Sequence, residues 1–177
     1  MDNLDRLRWI DAPLEIEFGK ESDSEEAFRL EFDRFAESDG DPLSEWLKLA
    51  RSRGETKESD PVLLALVVDL HRKVDELYMK ISGETKTFVP LPRKERISGL
   101  NYTHFNLIRS ALDVGSRYYA RIKMPVFPMR DIGLFFTAQS DTIGEISAMH
   151  ERDQNSWNSY VASRERVLIR QQKALIK

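Results

Sequence analysis

Between Pro61 and Ile81, apolar side chains recur at alternating steps of four and three residues: Leu63, Val67, Leu70, Val74, Leu77 and Ile81. This is the period of a heptad, with β-branched Val67, Val74 and Ile81 at the a positions and leucine at every d. That combination packs knobs into holes in a parallel pair of helices. A strand would scatter the same side chains over both of its faces, so the segment is predicted to be a helix. Asp60-Pro61 supplies its start, an acceptor for orphan N–H groups followed by a residue that needs no N–H of its own. Leu64 and Val68 widen the stripe enough for a second partner surface. A helix lying on its own domain needs no such strict seam. Self-association through these six residues, as a dimer or tetramer, is therefore expected, with packing inside one chain as the competing reading.

Upstream, Leu14 to Gly19 (LEIEFG) alternates apolar and polar residues and stops at glycine, the mark of a short strand. Ser24 to Glu37 places Phe28, Phe32 and Phe35 on one helical face, the pattern of a core stripe. Asp39-Gly40-Asp41-Pro42 predicts a turn and a second helix capped by Asp41, which directs Leu43, Trp46, Leu47 and Ala50 inward and ends near Gly54. Gly54 to Asp60 (GETKESD) lacks any apolar residue and reads as an exposed linker.

After the SGETK turn the texture becomes that of strands. TFVPLP, GLNYTHFNLI, SRYYARIKM and IGLFFTA are rich in aromatic and branched residues and are separated by Pro, Gly or Asp. Four or more short strands in this span predict a small antiparallel barrel or sandwich. From about Asp141 the helical period returns. Trp157, Val161, Arg164, Leu168, Gln171 and Leu175 form another four-and-three series, whose polar members allow hydrogen bonds across it. The fold class expected is α+β: N-terminal helices, a small antiparallel β-barrel and a long C-terminal helix. Three regions follow: an acidic helical region over 1–59, the heptad helix over 60–82, and the barrel with its closing helix over 83–177.

Composition narrows the function. The chain has 177 residues, 41% hydrophobic and 32% charged, which suits a folded soluble protein. A net charge of -3 offers no general attraction to nucleic acid or anionic lipid. Acid is concentrated before residue 60, and Arg164, Arg166, Arg170, Lys173 and Lys177 lie near the end, as two solvated faces or as complementary ends. With no cysteine, disulfides and thiolate metal sites are excluded. The start MDNLDRLRW is not a signal peptide pattern, and no apolar run is long enough to span a bilayer, so a cytoplasmic location without membrane insertion is expected.

Little here suits catalysis. His71, His104 and His150 are far apart and none belongs to a metal-binding pair, so no metal site is predicted, and His71 reads as a solvated helix histidine. There is no G-x-S-x-G, P-loop or G-x-G-x-x-G, and no catalytic residue or cofactor is assigned. The remaining candidate is the stretch LPRKERISGL. Guanidinium groups grip phosphate in a bidentate fork, so Arg93 and Arg96 entering a barrel would make a nucleotide clamp. The alternative is a solvated charged loop at the start of a strand.

RKERISGL, then ALDVGSRYYARIKMP with its polar turn before an alternating strand, then IGLFFTA and the helix ISAMHERDQNSWNSYVASRERVLIRQQ follow in an order that resembles a PilZ domain. That bacterial module is best known for binding cyclic di-GMP, and the resemblance covers about half of the chain, from Arg93 on. It implies that Arg93, Arg96, Ser98 and Asn101 stand near a ligand position. The family's signature is R-x-x-x-R followed by D/N-x-S-x-x-G. Here the arginines are three apart, and if Ser98 takes the signature serine, Arg96 replaces the Asp or Asn and Asn101 the glycine. The register Asn101-x-Thr103-x-x-Asn106 lacks the glycine too. The resemblance thus implies a member in which cyclic di-GMP binding is weak or lost and extra helices drive oligomerisation. Such a protein would be a non-enzymatic adaptor for protein partners in motility or second-messenger signalling. Two other readings remain open: a working cyclic di-GMP receptor using Arg93 and Arg96, and a helical interaction protein with an unrelated β domain.

Overall fold

The computed structural model describes residues 7–37, 42–83, 88–125 and 130–175. Its first strand, β1 (Ile10–Lys20), obeys the period-two rule along its length. Ile10, Ala12, Leu14, Ile16 and Phe18 are buried, while Asp11, Pro13 and Glu15 face solvent. Pro13 cannot donate to a ladder, and it falls where the register to the neighbouring strand shifts, between Asp11 and Leu14.

Five further strands follow: β2 (Arg93–Leu100), β3 (His104–Leu107), β4 (Arg117–Met124), β5 (Arg130–Ala138) and β6 (Ile143–Met149). They close an antiparallel barrel in the order β1-β2-β3-β6-β5-β4, so no described strand is left as an unpaired edge. β1 completes the ring by pairing with both β2 and β4. The expected α+β class with a small antiparallel barrel is thus observed, as a closed barrel rather than a sandwich.

The interior is aromatic. Tyr118 stacks on Phe136 at 5.1 Å, and Phe105 meets Phe136 edge-on at 4.9 Å. Gly144 lies beneath these rings, where a Cβ would stand 2.5 Å from Phe105 Cζ and 2.7 Å from Phe136 Cδ2. The last helix, α4 (Glu151–Leu175), contributes Trp157, Tyr160 and Val161 to the same core. Trp157 Nε1 donates to Asn101 O at 2.9 Å, which satisfies the one polar atom of a fully buried indole. Arg130 pairs with Asp153 at 2.8 Å in the first turn of α4, an acid placed where the helix dipole favours it.

Helix α1 (Glu25–Glu37) lies on the outside of the barrel. Phe28 stacks on Tyr119 at 5.1 Å and Phe32 meets Phe135 edge-on at 5.2 Å, while Val89 and Leu91 pack on the same cluster. The phenylalanine stripe predicted for this helix is a core stripe, with its acceptor on strands more than eighty residues away.

The chain separates into two compact units, one made of residues up to Phe35 together with those from Val89 on, the other of Ala36–Phe88. β1 pairs with β2 and β4 and so commits the N-terminal segment to the barrel unit. The second unit holds α2 (Pro42–Ser52) and α3 (Pro61–Ser82). In α2, Leu47 and Ala50 are buried as expected, whereas Trp46 is 59% exposed and does not face inward. The turn and cap assigned to Asp39, Gly40 and Asp41 lie outside the described residues, as does the SGETK turn beyond Gly83.

Two further expectations change. The stretch from Asp141 does not return to helix at once, since Ile143–Met149 is β6, and Phe88 to Pro92 of TFVPLP forms no strand. In the α4 series, Trp157, Val161 and Leu168 pack on the barrel core within this chain. Among the described residues, no helix is long and apolar enough to cross a membrane.

Candidate functional site

Antiparallel pairing puts directly opposed residues on the same face of a sheet. Along β1 and β2 the pairs are Leu14 with Ile97, Ile16 with Glu95 and Phe18 with Arg93, alternating with Glu15 with Arg96 and Glu17 with Lys94. Leu14, Ile16 and Phe18 form the inner row, so Arg93 belongs to that row and Arg96 to the outer one. Three residues apart in a strand is an odd step, and the two guanidinium groups leave opposite faces. They do not form a two-armed clamp.

Each instead has local work. Arg93 donates through Nη1 to the carbonyl of Ala111 at one end of the barrel. Beside it, Lys20 pairs with Asp113 at 2.8 Å, and the Tyr118 hydroxyl donates to Asp113 while accepting from the Asp113 N–H at 2.9 Å. The hydrogen bond from Lys20, then that from Tyr118, holds the Asp113 carboxyl below its usual range. On the outer face Lys94 bridges Glu15 at 3.0 Å and approaches Glu17 at 3.9 Å. The Lys94 hydrogen bond lowers the Glu15 pKa, and the Arg96 charge adds to it.

Ser98 and Asn101 are also engaged. Ser98 Oγ donates to Asn106 O at 3.1 Å. Asn101 builds the β2–β3 turn: its Oδ1 accepts from Thr103 N at 2.9 Å and His104 N at 2.8 Å, and its N–H donates to His104 O. Its carbonyl takes the Trp157 indole. Arg93, Arg96, Ser98 and Asn101 are therefore not gathered around one position, and the Asn101-x-Thr103 register is a hairpin turn.

The second candidate surface is α3. Asp60 caps it as predicted, with Oδ1 accepting from Val62 N at 2.7 Å and Leu63 N at 3.2 Å, and Pro61 occupies the first turn. Gly83 ends it at φ +78°, a left-handed conformation that residues with a Cβ adopt at a cost. None of its 22 residues is buried. Leu64, Val68, Asp69 and Arg72 are half-covered and lie on one row. The a and d positions are exposed, from Val67 at 54% to Ile81 at 78%, as are all the other residues of the helix outside that row. His71 pairs with Asp75 at 3.0 Å on an exposed part of the helix, as a solvated histidine would.

A third cluster escaped the sequence reading. Glu31 is 1% exposed and accepts from Arg121 Nη1 at 2.8 Å, the Tyr119 hydroxyl at 3.0 Å and the Val89 N–H. Arg121 reaches Glu17 with its other nitrogen at 2.8 Å. Burial opposes the Arg121 charge, but the Glu17 hydrogen bond and Glu31 outweigh it and raise the guanidinium pKa. The signal for this cluster was a glutamate within the Phe28, Phe32, Phe35 stripe, a charge that can be buried only with a partner. Among the described residues, no group of three or more His, Asp or Glu side chains is arranged to hold a metal ion.

Comparison with protein-family models, with curated proteins and with solved structures returned no match.

Proposed function

We propose that this chain is a bacterial, cytoplasmic, non-enzymatic PilZ-like adaptor that assembles through α3 and presents its barrel to protein partners in motility or second-messenger signalling. The observation that carries the reading is the exposure of the complete seam. Leu63, Val67, Leu70, Val74, Leu77 and Ile81 are each more than half exposed, along a helix that is well capped at both ends. Each such side chain that becomes buried contributes on the order of 1 kcal/mol, and a pair of helices brings six from each copy. A contiguous apolar stripe of this length supports a protein partner, and a second copy meets its period.

The flanking positions favour a parallel pair. In a fully overlapping antiparallel arrangement, the two copies of Lys73 would face each other across the seam, a like-charge contact. In a parallel arrangement Lys73 lies beside Tyr78 and His71 beside Leu66, with no like charges opposed. The division of Arg93 and Arg96 between two faces supports a barrel that has given up the family's two-arginine grip on cyclic di-GMP.

The test is light scattering on the full chain and on a Val67→Asn, Leu70→Gln variant, with near-UV circular dichroism to follow the barrel aromatics. The expected result is an oligomeric mass for the parent and a monomeric mass for the variant, with the aromatic signal retained. An unchanged mass overturns the seam. Calorimetric titration of the parent with cyclic di-GMP is expected to release no heat at micromolar concentration; binding would restore the receptor reading.

A further inference from the structure

The polypeptide leaves the barrel unit after Phe35 and returns to it at Val89. Both points are held by side chains of the barrel unit itself. On the outgoing side, side chains distant in sequence reach backbone carbonyls in the second half of α1. His150 Nε2 donates to Phe32 O at 2.8 Å, with its ring stacked on Phe32 at 3.8 Å, and Arg152 Nη2 donates to Phe35 O at 3.3 Å. On the returning side, Val89 gives its N–H to Glu31 and accepts at its carbonyl from Arg121 Nη1 at 3.3 Å. Glu31 lies one helical turn before Phe35, so the outgoing and returning segments meet at a single carboxylate.

We infer that Glu31 is a latch: a buried carboxylate that, with Arg121, clasps the stem from which residues 36–88 branch. Stability alone does not account for a charge here. Desolvating an ion pair costs several kcal/mol, of order the attraction it gains, and an apolar side chain among Phe28, Tyr119 and Phe135 would pack at lower cost. An apolar side chain cannot hold the N–H and, through Arg121, the C=O of Val89, the first residue of the returning segment. The carboxylate accepts from Arg121, Tyr119 and Val89 together. Release of Arg121 and Val89 would leave a buried charge without its cation, which makes the stem two-state rather than gradually loose. While the latch is closed, the stem is part of the barrel. When it opens, Val89 and Leu91 lose their place on the α1 cluster. The device concerns the stem and is independent of what α3 binds.

The test is amide hydrogen exchange, read residue by residue on the full chain, for the parent, Glu31→Gln and Tyr119→Phe. In the parent the Val89 amide is expected to be protected like the ladder amides of β4 and β5. Exchange there at the rate of an unprotected amide would overturn the latch without recourse to any variant. In Glu31→Gln the Val89 amide is expected to exchange about ten- to a hundredfold faster, the range for hydrogen bonds to charged groups, with the β4 and β5 amides unchanged. Tyr119→Phe removes one donor but keeps both Arg121 and Val89 on Glu31, and is expected to leave the Val89 rate unchanged. Equal acceleration of the barrel amides in Glu31→Gln, or acceleration of Val89 in Tyr119→Phe, would reduce Glu31 to a general contributor to stability. Light scattering on the same samples separates this result from the assembly question, since loss of the latch leaves the mass of the oligomer unaltered.

Discussion

Gly144 shows how much a single position carries in this barrel. Its missing side chain lets Phe105 and Phe136 cross over the β6 backbone, and a methyl group there would stand 2.5 Å from one ring and 2.7 Å from the other. Rings in a closed barrel have little room to retreat, so Gly144→Ala is expected to destabilise the fold by about 1–3 kcal/mol, read as a lower denaturant midpoint at unchanged slope. The segment Ile143 to Met149, expected to be helical, is a strand that pairs with β3 on one side and β5 on the other, partners that its own sequence does not state. Arg93 and Arg96 make the complementary point. Their identities suggest an anion grip, but only the β1–β2 register shows that three steps along a strand set them on opposite faces. Glu31 lay in plain view on an apolar stripe, whereas its partner Arg121 is ninety residues away.

Among the elements, α3 was the most legible. Its start, its seam and its end follow from local chemistry: Asp60 as cap, Pro61 in the first turn, a four-and-three series, and glycine in the left-handed region. Because none of its residues is buried, its helicity depends on those local terms more than on packing within the described residues. Asp60→Ala is accordingly expected to cost about 1 kcal/mol, seen as reduced helicity by circular dichroism, with barrel aromatics unaffected. Helix α4 is the contrast. Its sequence carries a similar series, yet Trp157 and Val161 are fully buried in the barrel core. Periodicity identified both helices; burial alone distinguished a plug from a free seam.

At the scale of the molecule, the barrel brings together groups that make its stability depend on alkali. Tyr119 has its pKa raised far above the usual 10.0, by burial first and then by the Glu31 charge, and burial raises Tyr160 as well. The folded state therefore holds these protons more tightly than the unfolded chain does. Their contribution is complete below pH 10.0 and is lost progressively as the pH rises beyond it, once unfolded tyrosine ionises and folded tyrosine does not. Thermal unfolding followed across pH 8 to 12 is expected to show a midpoint falling from about pH 10, with Tyr119→Phe reducing the dependence. The sequence by itself determined the local features: helix starts and stops, the heptad seam, and the strand texture of the second half, since each rests on neighbours within a few residues. Only the tertiary structure decided that Ile10–Lys20 closes the barrel, that Ala36–Phe88 branches from it, and that Glu31 meets Arg121 and Val89. Strand pairing and buried charge are settled between residues far apart in the chain, and no local pattern states which distant segment will be the partner.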